Sequence, residues 1–264
     1  MVIEFIGTPG AGKTTLLPDV VEYLNACGYR AFSVIEAARP FAKRTLIGEA
    51  VSRLAPPPLQ GPLLWQVFYQ YSKLYRKKFY KKHTALIRHV ISSQKNRPIP
   101  HDARHHALYW FFHLVGYYEF LSTYAKLDEA LVFDEGFIHR VVQLNASDVE
   151  EPDPAQIYTY IDLLPRPDLV IFPEASLKTC ETRIYRRGLW ERFKNKSTLE
   201  VSRYIANSYL VVHLAVDYIK SKGWTVYELD NDGDDPTITA AVLLSTLSGL
   251  PALTCKLPQV QSIM

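Results

Sequence analysis

Residues 7 to 14 combine glycines, a lysine and a threonine in a spacing that suits phosphate binding. They read Gly-Thr-Pro-Gly-Ala-Gly-Lys-Thr and match the pattern G-x-x-x-x-G-K-S/T at every position. Glycines let the backbone curl so that successive N–H groups point at phosphate oxygens. Lys13 can reach the β- and γ-phosphates of a nucleoside triphosphate, and Thr14 can offer its hydroxyl to Mg²⁺. The residues predicted to bind the triphosphate are Gly7, Pro9, Gly10, Ala11, Gly12, Lys13, Thr14 and Thr15.

The elements on either side of this loop agree with a phosphate-binding role. Residues 2–6 are apolar and predict a buried strand, and residues 13–25 carry apolar residues at helical spacing. Gly28 follows, as the glycine after a helix C-terminus. A strand, a glycine loop and a helix in this order form the context in which the motif binds phosphate, because the helix N-terminus adds the positive end of its dipole.

Four more apolar segments predict strands, and amphipathic helices separate several of them. The strands are expected at residues 31–35, 131–133, 169–172 and 224–229, and a long helix is expected at 199–222. Short apolar strands that alternate with helices predict a parallel sheet with helices on both faces. We therefore expect an α/β fold of the P-loop NTPase class with five parallel strands, and one domain over residues 1–264.

The segment at about 56–127 interrupts this alternation. It contains no clear strand, opens with three prolines at 56–58, and has two helix-like halves at 63–92 and 103–127. We predict a helical insertion beside the sheet. Residues 50–118 hold eleven Lys or Arg and a single acidic residue, although the whole chain has a net charge of only +3. Such a basic region is expected to face an anion.

Asp134 directly follows the third predicted strand. Ligands of a parallel sheet collect at the carboxyl ends of its strands, where this carboxylate would lie. We predict that Asp134 is catalytic and that it holds Mg²⁺ together with Thr14, directly or through water. A helix N-cap is the alternative role for this aspartate.

Three segments besides the phosphate-binding loop carry a family resemblance. They are VIEAARP at 34–40, VFDEG at 132–136, and PDLVIFPEAS at 167–176 with RIYRRG at 183–188. Together with the loop they resemble the thymidylate kinase and deoxynucleoside kinase group of P-loop kinases. The resemblance implies an enzyme that uses ATP and Mg²⁺ to phosphorylate a small-molecule acceptor, most simply a nucleoside or nucleotide. It also implies that the insertion forms the acceptor site and that residues 230–233 border the adenine.

The resemblance implies a lid at about 183–197, where arginines cluster. Phosphoryl transfer spreads negative charge over the moving group, so cations must close over it. Arg183 and Arg187 share a helix face and are the predicted catalytic arginines, ahead of Arg186 and Arg192. A solvated basic helix end is the alternative for any one of them.

Two carboxylates complicate the acceptor side. By the resemblance, Glu36 ends the second strand and is catalytic, either accepting the proton of the attacking hydroxyl or orienting the acceptor. A structural salt bridge is the alternative. Glu135 stands where the family has an arginine that helps hold the acceptor, so the charge is reversed there. Arg39 or Arg140 is a candidate for the replacement cation.

Several functions stay open. The acceptor could be a sugar, an antibiotic or another metabolite, or the 5′ end of a nucleic acid, although a nucleic-acid partner is the less favoured. A different alternative is an ATP-binding regulatory module that phosphorylates nothing. A GTP switch is disfavoured, because Asn195-Lys196 continues with Ser-Thr and forms no N-K-x-D motif.

The remaining expectations concern the surroundings of the protein. No apolar run reaches the roughly 18 residues of a membrane span, so no membrane partner is expected. The three cysteines lack metal-ligand spacing and are read as free thiols, which favours the cytoplasm. A homodimer is left open.

Overall fold

The computed structural model describes residues 1–190, 193 and 195–233, with Asn96 described by its backbone alone. Most of the predicted lid lies within these ranges. Arg192 and the part of the lid at 191 and 194 lie outside the described residues.

Within these ranges, five parallel strands form the central sheet, in the order β2-β3-β1-β4-β5. Ile3 of the central strand β1 pairs with Val132 of β3 on one side and with Leu169 of β4 on the other. The predicted fold class, a five-stranded parallel sheet flanked by helices, is confirmed. The strands are β1 Val2–Phe5, β2 Arg30–Ser33, β3 Glu129–Phe133, β4 Leu169–Glu174 and β5 Val226–Asp230.

Ten helices are present in the described residues. Their bounds are α1 Lys13–Ala26, α2 Val34–Ala42, α3 Leu46–Leu54, α4 Pro57–Lys82, α5 Thr84–Asn96, α6 His101–Tyr124, α7 Phe137–Asn145, α8 Pro154–Asp162, α9 Leu177–Arg187 and α10 Thr198–Ser221.

Both faces of the sheet are buried, because side chains alternate along each strand. In β3, Ala130 and Val132 join a core with the apolar face of α1. Leu131 and Phe133 point to the other face and join the larger core with helices α2, α4, α6, α7 and α10. This two-sided burial explains why β3 is apolar over most of its length rather than alternating with polar residues.

The segment at 56–127 folds into helices α4, α5 and α6, as predicted for a helical insertion. The first half contains a break at His83 that the sequence pattern did not reveal, so it forms two helices rather than one. Helix α4 crosses α6 at Gly116, where a Cβ would lie 2.5 Å from the Ser72 carbonyl oxygen. The long aromatic helix α6 therefore lies close against α4 and extends toward the carboxyl ends of the strands.

The second strand ends two residues before the predicted position. Ser33 and Glu36 form a capping box: the Ser33 Oγ accepts from the Glu36 N–H at 3.3 Å, and the Glu36 carboxylate accepts from the Ser33 N–H at 2.8 Å. A capping box starts a helix, so Val34 is already helical. The prediction that Glu36 ends a strand was wrong, because this local pairing outweighs the β propensity of Val34 and Ile35.

Cys180 is a buried free thiol, as expected. Cys255 lies outside the described residues, and a cytoplasmic location stays an untested prediction. No helix within the described ranges is long and apolar enough to cross a membrane.

Candidate active site

The phosphate-binding loop depends on two glycines in the left-handed region. Gly10 has φ of 89° and Gly12 has φ of 92°, a backbone conformation that costs other residues about 1–2 kcal/mol. A Cβ on Gly10 would lie 2.6 Å from the Cys180 carbonyl oxygen, and one on Gly12 would lie 2.3 Å from the Asn231 side chain. The loop is thus held between α9 and the residues after β5, and neither position has room for a side chain.

Asn231 holds the loop in place from the far end of the sheet. Its side-chain amide donates to the Ala11 carbonyl at 2.7 Å, and its backbone N–H donates to the Glu174 carbonyl at 2.7 Å. The side chain is buried. The resemblance predicted that residues 230–233 border the adenine, but the contact of Asn231 with the phosphate-binding loop was not predicted; its position directly after an apolar strand was the one signal for it.

Lys13 is the buried cation of the site, with 7% of its surface exposed. Its ammonium group donates to the Gly7 carbonyl at 2.8 Å and to the Thr8 carbonyl at 3.2 Å. Burial lowers the pKa of Lys13 to about 8, and the nearby carboxylates, Glu135 first, partly offset this effect. Near neutral pH the ammonium form still prevails, so the lysine can meet a phosphate with its full charge.

Thr14 and Asp134 lie together, as predicted. The Thr14 hydroxyl donates to the Asp134 carboxylate at 3.1 Å, although 120 residues separate them in the chain. The parallel pairing of β1 with β3 brings the two strand ends side by side. A hydroxyl and a carboxylate at this separation are the oxygen ligands that Mg²⁺ prefers. The pair therefore fits the predicted magnesium site.

A cavity of about 660 Å³ opens over the loop. Its donor side, as we name it here, consists of the loop residues together with Arg183 and Arg187 of α9 and Asn231. Its acceptor side lies across the loop toward α6 and α7. The acceptor-side residues that line the cavity are His106, Trp110, Glu135, His139, Val142, Gln143, Trp190 and Tyr204.

The two predicted arginines both reach this cavity, but they differ in what holds them. Arg183 donates to the Gly10 carbonyl at 3.4 Å and also to the Gly233 carbonyl. The guanidinium of Arg187 lies 5.1 Å from the centre of the Trp190 ring. Helix α9 ends at Gly188, whose φ is 93°. Arg183 is thus tied to backbone oxygens, whereas Arg187 stacks near an aromatic ring at the helix end.

Glu36 is not brought into the cavity. It is exposed in the first turn of α2, with its carboxylate bonded to the Ser33 N–H, and it does not line the cavity. Arg39, one of the two candidate replacement cations, also does not line it; its guanidinium lies beside Gly61 of the insertion. The capping box of α2 accounts for Glu36 on local grounds alone.

Glu135 lines the cavity and pairs with Arg140. The Glu135 carboxylate lies 3.1 Å from the Arg140 guanidinium, with 48% of the Glu135 side chain and 6% of the Arg140 side chain exposed. Arg140 also donates to the Gln143 amide oxygen at 2.5 Å. The negative charge of Glu135 is therefore balanced by the buried Arg140 in the first part of α7.

A fully buried carboxyl group supports this region from behind. Glu4, in the middle of β1, accepts from the Ile138 N–H at 2.8 Å at the start of α7, and burial raises its pKa to about 7. A Cβ on Gly136 would lie 2.4 Å from the Glu4 carboxyl carbon, so this glycine must lack a side chain. Glu4 was not predicted to have a role, although a carboxylate inside an otherwise apolar strand is a signal for one.

The acceptor side contains most of what the sequence did not predict. Trp110, Gln143 and His106 were not identified as site residues from the sequence. Their signal is weak because each lies in a helix whose sequence mixes core and surface residues. Helical spacing alone does not show which face of α6 or α7 meets the loop.

The basic region of the insertion is partly neutralised by acids outside residues 50–118. Lys78 and Lys82 pair with the buried carboxylate of Glu119, at 3.5 and 2.6 Å. Arg97 pairs with Glu150. The local charge is therefore smaller than the sequence count indicates, because each acid contacts its partners from a different part of the chain.

The parallel sheet, the glycine loop between β1 and α1, and the Thr14–Asp134 pair define the class of the fold as a P-loop NTPase. No family model and no curated protein matches the chain. Among solved structures, deoxyadenosine kinase from M. mycoides with the products dCMP and dCDP bound has 17% identity and a TM-score of 0.43, over 95% of this chain and 100% of that chain. The same kinase with dATP bound has 19% identity and a TM-score of 0.44, over 94% and 100%. With dCTP bound it has 17% identity and a TM-score of 0.41, over 95% and 100%.

A deoxyadenosine kinase falls within the group that the sequence resembles. Identities below 20% and TM-scores below 0.5 assign neither a family nor an activity. The function is therefore inferred from the geometry of the site itself.

Proposed function

We propose that the protein is a kinase that transfers the γ-phosphoryl group of ATP to a hydroxyl group of a small acceptor. One observation carries this proposal: the Thr14 hydroxyl lies 3.1 Å from Asp134, next to Lys13, in a cavity that Arg183 and Arg187 also line. These are the parts that phosphoryl transfer requires, since catalysis of this reaction consists of positioning and charge stabilisation.

Each donor-side residue has a role in this mechanism. The backbone N–H groups of residues 9–15 would bind the phosphate oxygens, and Lys13 would leave the Gly7 carbonyl to contact the β- and γ-phosphates. Arg187 would neutralise the charge that develops on the moving phosphoryl group. Arg183, held by the Gly10 carbonyl, would fix the lid against the loop.

Thr14 and Asp134 would hold Mg²⁺. When bound there, the ion supplies positive charge to the β- and γ-phosphate oxygens. The hydroxyl and the carboxylate already lie at hydrogen-bond distance, so both could bind one ion without rearrangement of the strands.

The acceptor would occupy the acceptor side, between α6 and α7. Trp110 and Trp190 offer aromatic faces, while His106 and Gln143 offer groups that donate or accept hydrogen bonds. The sequence resemblance makes nucleosides and nucleotides the first acceptors to test. Sugars, antibiotics and other hydroxylated metabolites form the second group.

The experiment is an acceptor screen. The full chain is incubated with MgATP and a panel of nucleosides, nucleotides and sugars, and products are detected by the mass increase of one phosphoryl group. The Lys13→Ala variant is the matched control, because it removes the cation that contacts the phosphates and leaves the backbone of the loop. Transfer to at least one acceptor by the wild type and none by Lys13→Ala is expected.

Two outcomes would contradict the proposal. Undiminished transfer by Lys13→Ala would remove the mechanism. ATP binding with water as the sole acceptor would favour the regulatory-module alternative. A nucleic-acid acceptor is tested in the same way with a 5′-hydroxyl oligonucleotide, whose binding should weaken steeply with salt if the basic insertion holds it.

A further inference from the structure

We propose that a groove between helices α4 and α6 is a second ligand site, which binds a nucleoside phosphate through cations of α4 and aromatic rings of both helices. The inference goes beyond the kinase activity and does not depend on it. We call this site the α4–α6 groove. The residues that line it are Tyr69, Lys73, Arg76, His105, Leu108, Tyr109, Phe112 and His113.

The groove and the cavity lie on different faces of α6. His106 and Trp110 line the cavity, whereas the preceding residues, His105 and Tyr109, line the groove. Successive side chains of a helix point about 100° apart, so one helix can form a wall of two sites. Among the described residues, the two lining sets have no member in common. A molecule in the groove would therefore be a ligand additional to the triphosphate and the acceptor.

Two cations of α4 reach the groove from the same face of the helix. Lys73 and Arg76 are three positions apart, so their side chains are neighbours. Burial lowers the pKa of His113, and the charges of Arg76 and Lys73 lower it further, which places both cations near this ring. The Arg76 Nε atom is buried and donates to no atom within the described ranges. A guanidinium and an ammonium group so close together can bind one phosphate group.

The charge of Lys73 is held differently from that of the next lysines along α4. Lys78 and Lys82 pair with the buried carboxylate of Glu119 at 3.5 and 2.6 Å. The Lys73 ammonium group instead lies 4.1 Å from the centre of the Tyr69 ring. An aromatic ring attracts a cation but carries no net charge. This contact therefore positions Lys73 and leaves its positive charge to act on an anion.

Aromatic rings stand beside these cations. The Tyr69 and His113 rings are nearly parallel, with 21° between their planes and 6.0 Å between their centres. Tyr109 lies 4.2 Å from His113 and is 46% exposed, and His105 lies 6.3 Å from Tyr109 on the same side of α6. Exposed rings of this kind accept a flat base by stacking, whichever base it is. A stacking surface next to a phosphate site is the combination that a nucleotide requires.

The size of the groove favours a single nucleotide over a nucleic-acid strand. Its volume is about 340 Å³, near the lower end of the range for small-molecule sites. Its lining residues span about two turns of each helix, or roughly 11 Å. Proteins that bind single strands contact about 4 to 16 nucleotides at each site. The proposal is therefore made for a free nucleoside phosphate.

The first experiment counts bound ligands by calorimetry. AMP, GMP, CMP and UMP are titrated in turn into the full chain and into the Lys73→Glu variant. For at least one of them, the wild type should bind one equivalent more than Lys73→Glu, because the variant brings a like charge to the phosphate. Equal numbers for all four nucleotides would overturn the proposal.

The matched control is Lys77→Glu. Lys77 is an exposed lysine of the same helix and does not line the groove, so this variant changes the net charge by the same amount. It should retain the wild-type number of equivalents. Loss of an equivalent in both variants would mean that the overall charge of α4 attracts the nucleotide, and this result would overturn a defined site.

A Lys13→Ala background separates the groove from the cavity. The equivalent that Lys73→Glu removes should persist in Lys13→Ala, since Lys13 lies in the cavity alone. If Lys13→Ala removes the same equivalent, the nucleotide occupies the cavity and the proposal is overturned. Failure of every acceptor in the transfer screen would instead contradict the kinase proposal and leave this one standing.

The contribution of the rings is measured at Tyr109. Tyr109→Ala should raise the Kd of the groove for the best nucleotide by about tenfold, whereas Tyr109→Phe, which keeps the ring, should change it by less than about threefold. Equal affinities in the two variants would show that no base stacks there. That result would overturn the assignment to a nucleotide.

Three further probes distinguish the sources of the binding. Inorganic phosphate and the unphosphorylated nucleoside should each bind the groove at least about tenfold more weakly than the nucleotide, since each lacks one of the two contacts. Phosphate that binds as tightly as the nucleotide would reduce the groove to a simple anion site and overturn the proposal. A single-stranded oligonucleotide that binds more than about tenfold tighter than the mononucleotide, in a manner that Lys73→Glu abolishes, would assign the groove to nucleic acid instead.

Discussion

The two sides of the cavity differ in how they are built. The donor side is built largely from one short segment, the glycine loop and the start of α1, and Asp134, Arg183 and Asn231 contact that segment from distant parts of the chain. The acceptor side consists of side chains that are far apart in sequence, from α6, α7 and α10 and from the segments before α7 and after α9. A phosphate group has the same shape in every nucleotide, so one backbone conformation can serve it, whereas an acceptor is recognised by side chains that vary with its chemistry. The donor side can therefore be identified from a short motif, and the acceptor side only from the folded structure.

The largest expected effect concerns the donor side. Replacing Asp134 with Asn removes the charge next to Thr14 while keeping the shape and a hydrogen-bond partner. We expect kcat to fall by about 10²- to 10³-fold, since stabilisation of the transferring group depends on the metal and its ligands. Steady-state kinetics over a range of Mg²⁺ concentrations measure the loss.

The metal dependence serves as the control for this variant. The Mg²⁺ concentration at half-maximal rate should rise in Asp134→Asn, because the site loses a charged oxygen ligand. If instead the rate falls with no change in metal dependence, Asp134 does not hold the ion; the helix cap is not its other role, because α7 begins after Gly136 with no side-chain cap.

The next effect distinguishes the two arginines. Arg187→Ala should lower kcat by about 10- to 100-fold with little change in ATP affinity, because its cation acts on charge that appears during transfer. Arg183→Ala should mainly weaken ATP binding, because Arg183 bonds to the Gly10 and Gly233 carbonyls and holds the lid on the loop. Equal losses in both parameters for the two variants would show that the arginines act as a unit.

A smaller effect is expected on the acceptor side. Trp110→Ala should raise the acceptor KM by about tenfold, since an aromatic contact contributes roughly 0.5–1.5 kcal/mol beyond its buried area. The KM for ATP should not change. Tyr109→Ala is the matched control, because it is the neighbouring aromatic of α6 and does not line the cavity. A change in the ATP KM would show that the two sides are not independent.

The smallest effect on activity, and a distinct effect on stability, concerns Glu4. Burial raises its pKa from 4.5 to about 7, so the folded state holds this proton more tightly than the unfolded state. Stability from this group is present below about pH 4.5 and is lost as the pH rises through about 7. Glu4→Gln should remove that loss, which corresponds to up to roughly 3 kcal/mol.

The measurement for Glu4 is the free energy of unfolding in urea between pH 5 and pH 8. The difference between variant and wild type should shift in favour of the variant as the pH rises, and it should level off above about pH 8. A difference that does not depend on pH would mean that the pKa of Glu4 is the same in the folded and the unfolded state.

Much of the fold followed from the sequence, for identifiable physical reasons. Strands β3 and β4 were predicted because they are buried on both faces and are therefore apolar over most of their length. The end of β2 was missed, because the Ser33–Glu36 capping box starts a helix in residues with high β propensity. The break at His83 was missed because the sequence around it has the same basic and aromatic character as the helices on either side.

The residues of the site likewise divide into those that the sequence predicted and those that it did not. Thr14 and Asp134 were correctly predicted to lie together, since the ends of neighbouring parallel strands meet at one edge of a sheet. Asn231, Glu4 and Trp110 could not be assigned, because their roles depend on contacts with residues more than a hundred positions away or on which helix face is turned inward. The sequence left open whether Arg39 or Arg140 supplies the replacement cation. In the structure the guanidinium of Arg140 is buried and pairs with Glu135.

The bond from Asn231 to Ala11 has a consequence for the order in which the protein matures. It joins residues 220 positions apart, so the loop is held in shape by a residue that is synthesised long after it. A nascent chain that has not yet added β5 to the edge of the sheet lacks this contact. Nucleotide affinity should accordingly arise only after β5 has joined the sheet, and a chain that lacks β5 should not bind ATP at the ribosome.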